Sequence, residues 1–161
     1  MRSGASIEIA APPQAVWDFV SDPSKALHYM AGITRWEVVS DKPQGLGARY
    51  RILLRVRSAE VGGLVEVVEY DEPRDLAWTS VTGIDQRGRW RLRERPGDRS
   101  NVEYRLSYGV AGAGVFGAIA ERIAAPTVRG HLERTVRQLK RQVEHEQQRL
   151  RAAERRRARV G

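Results

Sequence analysis

The stretch ARYRILLRVRS, residues 48–58, divides its side chains between two faces. Successive side chains of a β-strand point to opposite sides of the sheet. One side would carry Arg49, Arg51, Leu53, Arg55 and Arg57. The other side would carry Tyr50, Ile52, Leu54, Val56 and Ser58. The stretch therefore predicts a strand of an antiparallel sheet with one wet face and one apolar face.

Two later stretches repeat this division. In RGRWRLRER, residues 87–95, the arginines alternate with Trp90 and Leu92. In NVEYRLSY, residues 101–108, the apolar and aromatic side chains alternate with polar ones. The two-faced sheet therefore includes at least three strands.

Further strands are predicted where short apolar runs lie between turn residues. The candidates in chain order span 5–11, 34–41, 48–60, 64–70, 75–82, 87–95 and 102–110. The segment VGG, residues 61–63, is predicted to form the turn after the third of them. Because the connections from the second strand onward are short, neighbouring strands should be antiparallel and form a meander.

Helices are predicted at both ends of this β series. Pro12 and Pro13 open one short helix, because proline is tolerated in a first turn, and a second covers residues 24–29. From Val115 onward, apolar residues recur every three to five positions, which is the stripe of a long amphipathic helix. Pro126 lies inside this helix and should kink or interrupt it.

Most of the positive charge of the chain belongs to its last residues. The net charge is +8, and residues 149–161 contribute +5 of it through six arginines against Glu154. We interpret residues 1–148 as a single domain and residues 149–161 as a solvated helical extension that frays into disorder. Its simpler role is that of a solubilising terminus. The alternative is contact with an anionic membrane or a nucleic acid.

Several kinds of chemistry are excluded by composition. The chain has no cysteine, so disulfides, thiolate metal sites and cysteine nucleophiles are absent. Its three histidines, His28, His131 and His145, are too scattered to predict a metal site. No P-loop or dinucleotide-binding glycine pattern occurs, so no cofactor is predicted. The first residues lack the apolar run of a signal peptide, and we expect a cytoplasmic protein.

The arginines of the sheet have two interpretations. As a solvated face, they would cover apolar surface with their stems and pair with Glu66, Glu69 or Glu103. As a nucleic-acid surface, they would be interleaved with exposed aromatic side chains for base stacking. The aromatic residues lie on the opposite face, so the solvated face is favoured.

The apolar face is unusually rich in aromatic residues with a polar atom. It carries Tyr50, Trp78, Trp90, Tyr104 and Tyr108, with Trp36 as a further candidate. Such rings suit the wall of a ligand pocket, although an aromatic stripe also packs an ordinary core. The residues alone leave both interpretations open.

The order of these elements resembles the helix-grip fold of the START-like (SRPBCC) superfamily, in its polyketide cyclase/dehydrase and lipid-transport branch. The resemblance covers residues 5–145. The matching pieces are IEIAAPPQAVWDFVSDPSK, GLGARYR, EVVEYDEPRDLAW, WRLRERPGDRSNVEYRLSY and HLERTVRQLKRQVE. It implies an α+β fold in which a curved antiparallel sheet of about seven strands wraps around a long C-terminal helix, with two short helices after strand 1.

The resemblance also implies a cavity between the sheet and the long helix for a small hydrophobic or amphipathic ligand. The ligand-binding residues expected from it are Trp36, Tyr50, Ile52, Leu54, Trp78, Trp90, Tyr104, Tyr108, Phe116 and Ile119. The helix end near Val115 to Ile123, with the small residues and glycines of GVAGAGVFGAIA around it, would supply a movable lid. Lipid carriers, hormone and allergen-type binders and aromatase/cyclases share this fold, so the fold alone does not choose among them.

No signature of catalysis accompanies these residues. A cyclase or dehydratase needs a positioned acid or base, and the candidates are His131, Tyr104 and Glu66, with His28 more typical of a surface residue. Either orientation of Glu66 is open, because LVEVVEY does not alternate cleanly. Binding or transport of a hydrophobic ligand is the leading hypothesis. A cyclase/dehydratase-type enzyme and a polyanion or membrane-surface adaptor are the alternatives.

Overall fold

The computed structural model describes the backbone of residues 1–109 and 114–161 and the side chains of residues 1–109, 122 and 124–161. The strands are β1 (Arg2–Ile9), β2 (Ile33–Val38), β3 (Arg49–Val56), β4 (Ala59–Asp71), β5 (Asp75–Gly83), β6 (Asp85–Arg95) and β7 (Arg99–Gly109). The helices are α1 (Pro13–Val20), α2 (Ala26–Tyr29) and α3 (Gly114–Val160), with a 3-10 turn at Pro23–Lys25.

The strands of the described residues form one antiparallel sheet in the order β1-β7-β6-β5-β4-β3-β2. From β2 to β7 each strand pairs with the next one in the chain, so the predicted meander is confirmed. β1 returns to the far edge and pairs with β7. The sheet curves around α3, and the predicted α+β helix-grip fold is therefore confirmed.

The hairpin between β3 and β4 differs from the sequence prediction. The turn lies at Arg57 and Ser58, between the paired residues Val56 and Ala59, and not at VGG. Arg57 adopts φ 55° in this turn and so leaves the arginine face of the strand. Gly62 and Gly63 lie inside β4.

Those two glycines are required by close strand packing. A Cβ at Gly62 would lie 2.0 Å from the Ile52 carbonyl oxygen, and one at Gly63 would lie 2.1 Å from the Thr82 carbonyl oxygen. Glycine lets neighbouring backbones approach this closely. Gly62 and Gly63, whose sequence is typical of a turn, therefore allow β4 to pack closely against β3 and β5.

Helix α3 continues through Pro126 without interruption. Proline removes one backbone N–H from the helix, and the interruption that was one of the two predicted outcomes does not occur. The buried stripe of the helix consists of Val128, Leu132, Val136, Leu139 and Val143. Residues 148–161 are helical up to Val160 and exposed throughout, and their fraying stays a prediction.

The arginines of the outer sheet face form ion pairs with acids on the same face. Arg49 pairs with Glu66 at 2.9 Å, and Arg89 pairs with Glu69 at 2.6 Å. Arg105 also pairs with Glu103. All three predicted acids have such a partner, which supports the interpretation of a solvated, charge-balanced face.

Candidate functional site

A cavity of about 200 Å³ lies between the inner face of the sheet and α3. The sheet contributes residues from β2 through β7, while α3 contributes Ala124, Val128, His131, Leu132 and Thr135. Of the predicted ligand-binding residues, those on its wall are Trp36, Ile52, Leu54, Trp78, Tyr104 and Tyr108. The interior is therefore partly open, in addition to its packed core.

Four predicted ligand residues are not among the described residues of this wall. The Tyr50 ring packs 5.5 Å from Trp36, and its hydroxyl donates a hydrogen bond to the Pro43 carbonyl at 2.9 Å. Trp90 is 1% exposed and stacks on Tyr104, in the packed core next to the cavity. The side chains of Phe116 and Ile119, and the lid expected around them, lie outside the described part of the chain. Alternation predicts the face of a side chain but not its distance from the cavity.

The aromatic side chains form a continuous row across several strands. The ring centroids of Trp36 and Trp78 are 5.8 Å apart and nearly perpendicular. Trp78 lies 6.1 Å from Tyr104, which stacks on Trp90 at 4.3 Å. These distances are typical of favourable aromatic pairs, so the rings hold one another in place.

Gly88 gives Trp78 its position. It pairs with Trp78 across β5 and β6, and a Cβ on Gly88 would lie 2.1 Å from the indole ring. The absence of a side chain lets the indole lie against β6 on the inner face. The role of Gly88 was not predicted from the sequence, although a glycine between arginines in a regular strand indicates that another group packs closely against the backbone there.

Two of the rings carry buried donors without a partner. The Nε1 atoms of Trp36 and Trp78 are buried, and neither has a hydrogen bond within the described residues. Leaving a buried donor unpaired costs about 1–3 kcal/mol. Both indole rings belong to the cavity wall, but their Nε1 atoms are not exposed to the cavity, so an acceptor on a bound molecule would remove this cost only where the ring turns its N–H toward it.

Among its described residues, the wall carries no Asp, Glu, Lys or Arg. Burial raises the pKa of Tyr104 far above its usual value, so its hydroxyl stays protonated and acts as a donor. A charged group in this cavity would find no counter-charge on the described part of the wall, which makes its burial costly.

His131 lies on the wall, but both of its ring nitrogens are engaged by the protein. Nε2 lies 2.9 Å from the Arg55 carbonyl oxygen, and the Arg134 guanidinium contacts Nδ1. Since a carbonyl only accepts and a guanidinium only donates, Nε2 carries the proton and Nδ1 accepts. The ring also packs against Gly32, where a Cβ would lie 2.5 Å from it. His131 therefore closes the wall between α3 and β3.

The other candidates for catalysis lie away from the cavity. Glu66 pairs with Arg49 on the outer face, which settles the orientation that the sequence left open. His28 is exposed. Of the three predicted catalytic residues, Tyr104 and His131 share the cavity wall, and Glu66 does not.

Thr135 is a wall residue that the sequence analysis missed. It is 1% exposed, and its hydroxyl accepts a hydrogen bond from the Ala31 backbone N–H at 2.9 Å. It follows His131 by one helical turn, so the i, i+4 spacing in HLERT was an available signal.

A curved antiparallel sheet that holds a long helix against an apolar cavity defines a START-like (SRPBCC) helix-grip protein. The chain belongs to the polyketide cyclase / dehydrase and lipid transport family, whose model matches residues 2–144. No curated protein matches the sequence.

Solved structures share the fold at low sequence identity. TTHA0849 from Thermus thermophilus has a TM-score of 0.75 and 21% identity, over 89% of this chain and 97% of that one. A START superfamily protein from Mycobacterium smegmatis has a TM-score of 0.69 and 17% identity, over 89% and 97%. The di-domain ARO/CYC BexL of the BE-7585A biosynthetic pathway has a TM-score of 0.63 and 18% identity, over 89% of this chain and 46% of that one.

The described residues include no candidate for a membrane span or for a metal site. None of their helices is both long and apolar enough to span a bilayer. Nor do their His, Asp and Glu side chains form a group of three that could bind a metal ion.

Proposed function

We propose that the protein binds a small, uncharged and largely apolar molecule in the cavity between the sheet and α3, as a carrier or binding protein. The observation that carries this proposal is an apolar cavity wall with no Asp, Glu, Lys or Arg among its described residues. Family membership supports the same kind of function.

The polarity of the wall favours a ligand that accepts hydrogen bonds. The donors are Nε1 of Trp36 and of Trp78, together with the protonated hydroxyl of Tyr104. A ketone, ester or ether oxygen would satisfy a donor, whereas a hydrocarbon would leave it unpaired. Apolar burial then supplies affinity at about 25 cal/mol per Å² of surface removed from water.

The first experiment is native mass spectrometry of gently purified protein, followed by denaturing extraction. We expect a reproducible mass excess that leaves as a small, neutral organic molecule. An anionic molecule in the extract would contradict the uncharged-ligand proposal.

A second experiment tests the cavity with a defined probe. Prodan is a neutral fluorescent naphthalene that carries a ketone, and we expect it to bind with a blue-shifted emission. Trp36→Phe and Trp78→Phe each keep an aromatic ring but remove the N–H, so each should weaken binding about three- to tenfold.

The matched control is Trp17→Phe. The Trp17 Nε1 atom is also buried and unpartnered, but Trp17 packs against Tyr70 and is not among the described residues of the cavity wall. Its replacement should leave prodan affinity unchanged. Equal effects of all three substitutions, or no prodan binding by the wild type, would contradict binding in this cavity.

A cyclase/dehydratase-type enzyme is the second candidate function. It is favoured by the family and by Tyr104, whose protonated hydroxyl on the wall could donate a hydrogen bond to a substrate ketone and stabilise charge that develops on its oxygen. The structural likeness to BexL, an ARO/CYC, is consistent with it. With a cyclisable poly-ketone substrate, Tyr104→Phe should lower turnover about a hundredfold or more and Glu66→Gln should leave it unchanged. Unchanged turnover in Tyr104→Phe would remove Tyr104 as the donor.

A further inference from the structure

One side of α3 carries a line of arginines that extends from the packed domain into the exposed extension. We call Arg137, Arg141, Arg151, Arg155 and Arg159 the basic ridge; all five are exposed. Among the described residues of α3, the ion pairs are Lys140–Glu144 and Arg149–Glu146, and neither includes a residue of the basic ridge. The ridge arginines therefore have no ion-pair partner within the described part of the helix.

Helix geometry aligns these residues. At 3.6 residues per turn the five ridge arginines fall within an arc of about 80°, and at 1.5 Å per residue the ridge is about 33 Å long. The exposed Arg156 widens the basic arc at the end of the helix to about 140°. This alignment depends on α3 being one continuous helix to Val160.

We propose that the basic ridge binds double-stranded DNA through its phosphates, without reading the base sequence. A helix is about 10–12 Å in diameter, and the major groove of B-DNA is about 12 Å wide, with phosphates on both sides. A basic arc of about 140° places arginines toward both sides of such a groove. Arginine is well suited to phosphate because its planar fork forms paired hydrogen bonds.

The apolar side of the extension argues against a membrane as the partner. A helix that lies on a bilayer inserts a face of large apolar side chains. In residues 148–161 the large apolar residues are Leu150 and Val160, with Arg157 on the same side between them. Charge is therefore the main feature that this segment offers to a partner.

This surface is separate from the cavity. Arg137, the first ridge residue, lies six positions after His131 of the cavity wall, about 9 Å along the axis and about 120° around the helix, whereas Arg151 and Arg159 lie about 30 Å and 42 Å along the axis from His131. DNA binding by the ridge is therefore independent of the ligand proposed for the cavity, and either proposal can fail alone.

The test is fluorescence anisotropy of a labelled 20-base-pair duplex of arbitrary sequence, titrated with the full chain between 50 and 200 mM NaCl. We expect Arg151→Gln/Arg155→Gln/Arg159→Gln to bind at least about tenfold more weakly than the wild type at 100 mM salt. The slope of log K against log salt should become shallower by about 3, since each lost phosphate contact removes about 0.9.

The matched control is Arg51→Gln/Arg87→Gln/Arg95→Gln, which removes the same charge from exposed strand arginines that make no ion pair within the described residues. It should bind the duplex nearly as well as the wild type. Circular dichroism should show that both triple variants keep the helix content, because all the substituted side chains are exposed.

Three outcomes would overturn the proposal: no duplex binding by the wild type at 50 mM salt, equal losses in the two triple variants, or binding to phosphatidylglycerol vesicles without binding to the duplex. The last outcome would assign the ridge to a membrane surface.

Discussion

On the inner face of the sheet Trp78 and Trp90 are 3% and 1% exposed, whereas on the outer face the Arg49 and Arg55 side chains are 46% and 52% exposed. The same backbone builds both faces, because neighbouring residues point to opposite sides. The inner face is fixed by packing, where a single added carbon atom would collide with a ring. The outer-face side chains are in contact with solvent and form partly exposed ion pairs, which tolerate movement. Substitutions should therefore be far more costly on the inner face.

The largest difference between the faces should come from truncating Trp90. Trp90→Ala removes a ring that is 1% exposed and stacked on Tyr104, so it should lower the free energy of unfolding by about 3–5 kcal/mol. Arg51→Ala, on the exposed face of β3, should change it by less than about 0.5 kcal/mol. Urea unfolding monitored by circular dichroism measures both. Comparable losses would contradict the contrast between the two faces.

Adding a methyl group tests whether the inner face has room for a larger side chain, whereas Trp90→Ala tests the loss of one. Gly88→Ala places a Cβ 2.1 Å from the Trp78 ring and should destabilise the protein by about 1–3 kcal/mol. At Gly4 in β1 a Cβ would have its nearest neighbouring atoms at 3.6 Å, so Gly4→Ala should be neutral or slightly stabilising. Both values come from urea unfolding. A neutral Gly88→Ala would mean that the indole does not need this space.

High pH should weaken the inner face selectively. Burial raises the pKa of Tyr50 to about 12, above the value of about 10 for an unfolded tyrosine. The folded state thus retains a proton that the unfolded state releases, so this contribution is complete below about pH 10 and is lost as the pH rises toward 12. Burial raises the pKa values of Tyr29 and Tyr104 in the same direction.

Tyr50→Phe should therefore lose less stability than the wild type between pH 8 and pH 11. The difference is bounded by about 1.4 kcal/mol, the value of one pKa unit. The pH 8 measurement separates this effect from the lost hydrogen bond to Pro43. Identical slopes against pH would show that Tyr50 titrates alike in the folded and unfolded states.

The smallest effect should come from the outer-face pair of Arg49 and Glu66. A double-mutant cycle with Arg49→Ala and Glu66→Ala should give a coupling energy of about 0.2–1 kcal/mol, because both side chains are partly exposed at 46% and 34%. Salt at 1 M should reduce it further. A coupling above that range would mean that the outer face is held as firmly as the inner one.

The sequence predicted the fold well because the apolar positions have a clear period. Alternation in β3, β6 and β7 correctly assigned Ile52, Trp90 and Tyr104 to the inner face. The same pattern was ambiguous in β4, where a register shift between Val67 and Glu69 breaks the alternation. A bulge of this kind depends on the neighbouring strand and so is not visible in one strand alone.

The candidate site was only partly predictable. Six of its wall residues were predictable because alternation places them on the inner face of the sheet. Tyr50 and Trp90 also point to that face, but they pack against Trp36 and Tyr104 beside the cavity instead of lining it. The sequence did not decide whether His131 faces the cavity. Its side chain connects α3 to β3 through a hydrogen bond to the Arg55 carbonyl, which lies 76 residues away in the chain.

The sequence by itself determined the two-faced antiparallel sheet, the long C-terminal helix and the charge of the last residues, because each follows from local periodicity or composition. Only the tertiary structure decided which inner side chains line the cavity and which indole donors lack a partner. Those properties depend on distances between residues far apart in the chain. Such distances are set by how the sheet curves around the helix, and no local pattern contains them.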